Sequence, residues 1–314
     1  MKHILITGGC GFTGTLLTND LIDLGNKVTV VDTQWFGNYL SPRDNLKIIK
    51  LDIRKHNELP LKGVDAVIHL ANIANDPGVE LNPKLSWEVN VLATQKLVEN
   101  SIKNNVKQFI FASSGSVYGI KKEMEVTEDL SLVPISTYNE TKMIAERVIK
   151  SYENEIIFHS IRPATVCGFS PRMRLDVSVN MFAFQALKSK SISVFGGNQI
   201  RPNIHIQDLI NVYKHFISNP NLPSGFYNAG FENLKIIDIA KKVAKIIPAE
   251  IVVTKNENDP RSYRQNSDKL KLTGFEKKYS VSDAIKEIKE KYESKKFVES
   301  VDCYTVKKMK ELKL

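Results

Sequence analysis

Cysteine is scarce. The chain has three, Cys10, Cys167 and Cys303, and no two stand at metal-ligand spacing. That argues against a disulfide framework and a metal site, and a reducing, cytoplasmic setting is expected. No apolar run approaches the roughly 20 residues that a bilayer crossing needs. The second residue already leads into a strand-like run, so no signal peptide is expected. Internal repeats and low-complexity tracts are missing. The positive charge is not concentrated either. Net charge is +9, yet the lysines spread over helices and the C-terminal third, with no basic stripe interleaved with aromatics. A diffuse lysine-rich surface, with arginines reserved for an anionic ligand, is favoured over nucleic-acid binding. What is present, 314 residues with 42% hydrophobic and 25% charged, suits a soluble globular protein of two domains, or one large domain with an added lobe.

The chain is organised around its first 32 residues. His3-Ile4-Leu5-Ile6-Thr7 reads as an apolar strand. Gly8-Gly9-Cys10-Gly11-Phe12-Thr13-Gly14 follows as a glycine-rich turn, then a helical pattern to Leu24, then Lys27-Val28-Thr29-Val30-Val31-Asp32 as a second strand. This is the pattern of a βαβ unit that binds a dinucleotide. Gly8 permits the tight turn, Gly11 lets the backbone approach a pyrophosphate, and Gly14 lets the helix pack against the strand. The helix N-terminus offers free N–H groups and the positive end of its dipole to the phosphates. Asp32 can accept hydrogen bonds from both ribose hydroxyls and would repel a 2′-phosphate, which selects NAD over NADP.

Further strands are expected at 46–52, 66–71, 108–113 and 156–162, with helices at 85–104 and 137–151. Strands separated by helices predict an α/β fold, a Rossmann-type doubly wound parallel sheet. Ligands then lie outside the carboxyl ends of the strands, where Asp52, Ala71 and Ser114 fall. After Pro163 shorter elements and turns predict a smaller C-terminal substrate-binding lobe. The expected division is 1–164 for the NAD-binding domain and 165–314 for the lobe, with some segments returning to the first domain. Asn90 sits inside a helix, where it is mildly unfavourable, so it is either a solvated position or a functional one. The stretch 295–314 reads as a lysine-rich tail with no role that the sequence gives it.

Tyr138 and Lys142 lie four apart and share one helical face. A phenol has a pKa near 10, roughly three units above neutral. A lysine ammonium one turn away favours the phenolate, as does the positive charge of bound NAD. Before them, Ala112 to Gly119 cluster hydroxyls at the carboxyl edge of a strand, where Ser114 can hold a substrate hydroxyl while Tyr138 takes its proton.

With these residues the chain resembles the extended short-chain dehydrogenase/reductases of the nucleotide-sugar epimerase and dehydratase family. The resemblance covers about residues 2 to 290. It rests on Thr7 to Gly14, Asp32, Asp52-Ile53, His69-Leu70-Ala71, Asn90, Ser113 to Gly119, Tyr138 to Lys142 and Arg162-Pro163. Gly197 to Arg201, Ile204 to Asp208 and Tyr227 to Gly230 add to it. It implies that Ser114, Tyr138 and Lys142 are catalytic. It implies that Asp52 and Ile53 flank the adenine, and that Leu70, Ala71 and Asn90 line the cofactor groove. Phe12, Thr13, Thr33, Asn72, Ser113 and Pro163 complete the cofactor set. Ser116, Thr165, Asn180, Arg201 and Arg261 are implied to join Ser114 on the substrate, with Arg264 competing for the place of Arg261. Arginine suits a diphosphate because its fork meets two oxygens at once.

Departures from the pattern narrow the chemistry. The family's dehydratases and decarboxylases carry acidic residues just after the catalytic Ser or Thr, where this chain has Gly115 and Ser116. Its reductases and C3,C5-epimerases carry a Cys in that loop, which is missing too. Cys167 is read as a buried, inert thiol shaping the sugar pocket. The resemblance thus implies an NAD-dependent epimerase acting at C4 of a hexose on a nucleoside diphosphate, through a 4-keto sugar, and a homodimer. The alternatives are a reductase, dehydrogenase or 4,6-dehydratase on the same scaffold, or a non-catalytic dinucleotide sensor.

Overall fold

The computed structural model describes residues 1–254 and 262–314. β1 (His3–Thr7), β2 (Lys27–Asp32), β3 (Leu46–Lys50), β4 (Ala66–His69), β5 (Gln108–Ala112) and β6 (Ile157–Pro163) enter one sheet. β7 (Thr165–Cys167), β8 (Ser191–Phe195) and β9 (Ile200–His205) follow outside it. β10 (Gly225–Ala229) returns to its edge, and β11 (Glu232–Lys235) and β12 (Glu250–Thr254) belong to the lobe. The seven-stranded sheet runs β10-β6-β5-β4-β1-β2-β3 with every pairing parallel.

A parallel sheet is covered on both faces, so its strands are apolar throughout. Successive side chains of β1 show this. Ile4 and Ile6 join the cluster holding Leu17 and Leu21 of helix α1 (Phe12–Asp23). Leu5, pointing the other way, joins the cluster holding Leu97 and Val98. Those two belong to a long helical run made of α2 (Asp76–Leu81), α3 (Pro83–Trp87), a π-helical turn at Glu88–Leu92 and α4 (Ala93–Lys103). Helix α5 (Thr137–Lys150) covers the same face.

In the lobe, β11-β9-β7 form a three-stranded sheet and β12-β8 a two-stranded one. Helices α6 (Ser178–Ser189), α8 (Ile236–Ile246) and α10 (Val281–Glu293) pack together there. The chain does not divide cleanly at Ala164. Helix α7 (Ile206–Ser218) packs on α1, and short α9 (Asp268–Lys271) lies against β10.

The stretch read as a lysine-rich tail is structured. A 3-10 turn at Val301–Cys303 precedes helix α11 (Thr305–Glu311), which docks on α2 and buries Met309. Its fixing points lie far away in sequence: Leu175 N donates to Cys303 O at 2.9 Å, and Thr305 N to Asp176 Oδ2 at 3.1 Å. Among the described residues no helix is long and apolar enough to cross a membrane, and no three His, Cys, Asp or Glu side chains gather as a metal site. All three cysteines are buried and free.

Candidate active site

The glycine turn is closed on the inside and open on the outside. Gly8 has φ +75°, and a Cβ there would come within 2.6 Å of Ala71 N. A Cβ on Gly14 would lie 2.3 Å from Gly8 O. Strand, turn and helix therefore touch backbone to backbone. Gly11 precedes α1 and has only Gly8 O nearby, at 3.2 Å, so its outer side stays free for a ligand. Asp32 ends β2 and braces this turn, accepting from Cys10 N at 3.0 Å and Gln34 N at 2.7 Å. Burial raises its carboxyl pKa, and the two backbone hydrogen bonds oppose that rise.

Across the sheet, Ser114 leaves β5 and caps a 3-10 turn. Its Oγ lies 2.7 Å from Ser116 Oγ and accepts from Ser116 N. Tyr138 stands in the first turn of α5, which Ser136 caps by accepting from Asn139 N. The Ser136 hydroxyl also donates to Asp76. Lys142, fully buried, donates from Nζ to Ala112 O at 2.7 Å and lies 4.7 Å from the centroid of Phe111. Burial pushes its amine down to about 7, while Glu146 pulls the other way.

These elements border one cleft of about 570 Å³ between the carboxyl edge of the sheet and the lobe. Gly8, Gly11, Phe12, Thr13 and Gly14 line it, with Asp32, Thr33, Asp52 and Ile53 beside them. Leu70, Ala71, Asn72, Ser113, Ser114, Ser116 and Tyr138 continue that wall; Pro163, Thr165 and Arg201 stand on it too. Lys142 is behind this surface, turned to Ala112 O.

Three residues implied for the site stand off the cleft wall. Asn180 is not in the cleft. Its amide accepts from Gly168 N and donates to Gly168 O and Arg174 O, so it holds the shape of the 168–174 loop. Asn90 likewise faces away from the groove. It sits in the π-helical turn and bonds Ile73 N, Ile73 O and Thr141 Oγ1, thereby fixing the loop after β4. Arg264 is exposed and off the cleft wall. Arg261 lies outside the described residues. Cys167 is fully buried; burial pushes its thiol well above the usual range, and it does not reach the cleft.

The loops 33–43 and 167–179, on which the pocket's shape was expected to depend, do border the cleft, and the C-terminal segment joins them without any sequence signal. Phe36, Arg172, Arg174, Asp176 and, from the C-terminal segment, Thr305 and Met309 line the cleft. Only the arginine-rich run Arg172-Met173-Arg174 offered a local signal. Thr305 and Met309 share one face of α11, but only the docking of that helix on α2 turns the face toward the cleft.

The sequence pattern of the NAD dependent epimerase/dehydratase family matches residues 4–230. The chain belongs to that family. This family member is 27% identical over 315 residues to UDP-glucose 4-epimerase of Lactobacillus helveticus, a match spanning 90% of this chain and 94% of that one. It is equally 27% identical, over 288 residues, to UDP-glucuronic acid decarboxylase 1 of Danio rerio, covering 86% of this chain and 68% of that one. Among solved structures it superposes on UDP-glucose 4-epimerase with UDP-glucose from Thermotoga maritima. The TM-score is 0.84 at 25% identity, over 94% of this chain and 100% of the other.

The epimerase/dehydratase is thus an NAD-dependent enzyme, and its residues fit that cofactor. Glycines 8 and 14 leave no room for side chains, while Gly11 opens outward beside the N-terminus of α1. Buried polar atoms that lack a partner also collect on the cleft walls: Asn72 Oδ1, Ser113 Oγ, Arg172 Nε, Ser178 Oγ and Thr305 Oγ1. An unsatisfied buried polar atom costs roughly 1–3 kcal/mol, and a polar ligand would remove that cost.

Proposed function

We propose that the enzyme interconverts epimers at C4 of a hexose carried on a nucleoside diphosphate. The observation that carries this reading is the immediate surroundings of Ser114. The next two residues, Gly115 and Ser116, bring no carboxylate, and Ser116 answers Ser114 with a hydroxyl at 2.7 Å. Among the described residues, the acids on the cleft walls are already engaged. Asp176 takes Arg174 at 2.9 Å, Asp52 takes Arg54 at 2.8 Å, Asp32 takes two backbone amides, and Asp76 takes the Ser136 hydroxyl. Loss of water from the hexose needs an acid and a base besides a tyrosine. Reversible oxidation of one alcohol needs only a single proton acceptor.

Tyr138 would accept the proton of the 4-hydroxyl and later return it. Ser114 would orient that hydroxyl. Lys142, one turn further along α5, would favour the phenolate whenever its amine is charged. When bound, NAD would supply the two-electron hydride acceptor and donor for C4. Arg201 is suited to grip the diphosphate with its fork, so that the sugar can turn while the nucleotide stays fixed.

Incubating the purified enzyme with UDP-glucose or UDP-galactose, followed by mass spectrometry and proton NMR, tests the reading. An isomer of unchanged mass, without net NADH, is expected. A product lighter by water or by carbon dioxide would replace epimerisation with dehydration or decarboxylation.

A further inference from the structure

Arg172 lies in the loop between β7 and α6, on the cleft wall, with only 5% of its surface exposed. A buried guanidinium ordinarily meets a carboxylate, because leaving a charge unpaired out of water is strongly unfavourable. Arg172 makes no hydrogen bond and no ion pair with any described residue, and its Nε is an orphaned donor. Its guanidinium lies against the ring of Phe36, in the loop that follows Asp32, with Cζ 4.2 Å from the centroid. The neighbouring Arg174 shows that an acid is available locally: its Nε pairs with Asp176 at 2.9 Å. Arg172 is left out of that pair. Burial, with Arg174 adding to it, pushes its pKa down to about 10.

Asp32 and Asp176 act on its charge from a distance, but neither hydrogen-bonds it, and a guanidinium on a cleft wall with an unused donor can receive an anion. The cleft accepts two phosphate-bearing ligands, the cofactor and the nucleotide sugar. The surroundings decide between them. Arg172 rests on Phe36, four residues beyond Asp32, and its charge is felt at the Asp32 carboxyl. Asp32 ends the strand that the glycine turn faces, which is the cofactor side. We infer that Arg172 binds the pyrophosphate of NAD, closing over it from the lobe while the glycine turn holds it from below. The C-terminal segment encloses this position, because Cys303 O fixes Leu175 and Asp176 fixes Thr305. The inference rests on NAD binding and not on the reaction at C4.

The test is ligand binding to cofactor-stripped protein. For Arg172→Gln, NADH affinity by fluorescence titration is expected to fall at least tenfold, and ADP-ribose affinity equally. Adenosine and uridine 5′-diphosphate should bind within twofold of wild type. Melting of the stripped protein should be unchanged or raised, since the substitution removes an unpaired buried charge. Arg172→Lys keeps the charge but loses the fork and should bind NADH with intermediate affinity. Unchanged NADH binding in folded Arg172→Gln would overturn the inference. A loss confined to uridine 5′-diphosphate would move the residue to the substrate, and an equal loss for adenosine would move it to the nucleoside. A fall in stripped-protein stability in both variants, with NADH binding unchanged per folded molecule, would make the role structural. Failure to epimerise any sugar leaves these readouts untouched.

Discussion

Glu146 and Arg162 meet in a buried fork, with Arg162 Nη2 2.8 Å from Glu146 Oε2 and Nε 2.9 Å from Oε1. Both side chains are almost completely out of water. Glu146 lies one turn beyond Lys142 on α5, and Arg162 lies on β6, so the pair bolts α5 to the sheet. Arg162 also donates to the Tyr118 hydroxyl at 2.8 Å, which ties in the loop after Ser114. One guanidinium thus fixes the two segments that carry Ser114, Tyr138 and Lys142.

Removing one member of this pair leaves the other charged and buried. Arg162→Met should lower the unfolding free energy by about 3–5 kcal/mol, measured by urea denaturation. Replacing both residues with apolar side chains of similar volume should cost much less. A loss under about 1 kcal/mol for the single variant would show that the pair is not needed.

Lys142 makes stability depend on pH. Burial holds its amine near 7 in the folded protein, against about 10.4 in an unfolded chain. Between those values the unfolded state binds more protons, so stability rises with pH across the window and levels off above it. In cofactor-free protein, wild type should gain stability relative to Lys142→Met from pH 7 to pH 10. A flat difference would mean that the lysine is not desolvated.

Tyr138→Phe removes the proposed acid–base group and leaves the cleft wall in place. Turnover of the nucleotide sugar should fall by roughly 10²–10⁴-fold, while NADH binding, followed by fluorescence, stays close to wild type. Unchanged turnover would remove Tyr138 from the mechanism.

Deleting residues 300–314 takes away Thr305 and Met309 from the cleft wall and strips the partners of Leu175 N and Asp176. The truncated protein should bind NADH more weakly and melt at a lower temperature, because the exposed face of α2 loses its apolar cover. Full NADH affinity after truncation would make the segment a passive appendage.

Much of the fold was legible because local periodicity carries it. Ile4, Leu5 and Ile6 announce a strand buried on both faces, and the glycine turn after them leaves little choice of geometry. The strand expected at 46–52 stops at Lys50, and that expected at 66–71 stops at His69. In both places the chain turns into the cleft while its apolar composition continues. Helix 85–104 begins two residues earlier and contains a π-helical turn, which no propensity encodes. The spacing of Tyr138 and Lys142 was readable for the same reason as the strands, since four residues make about one helical turn.

The sequence by itself determined the alternation of strands and helices, the glycine cradle and the placing of Ser114 and Tyr138 at the carboxyl edge of the sheet. Each of these follows from residues a few positions apart. Tertiary structure alone decided that Asn90 and Asn180 serve backbone, that Arg172 lies unpaired on Phe36, and that the final helix walls the cleft. Those outcomes depend on contacts between distant stretches, Leu175 with Cys303 or Asn90 with Ile73. In loops without a repeating period, it is such contacts that set where a side chain points.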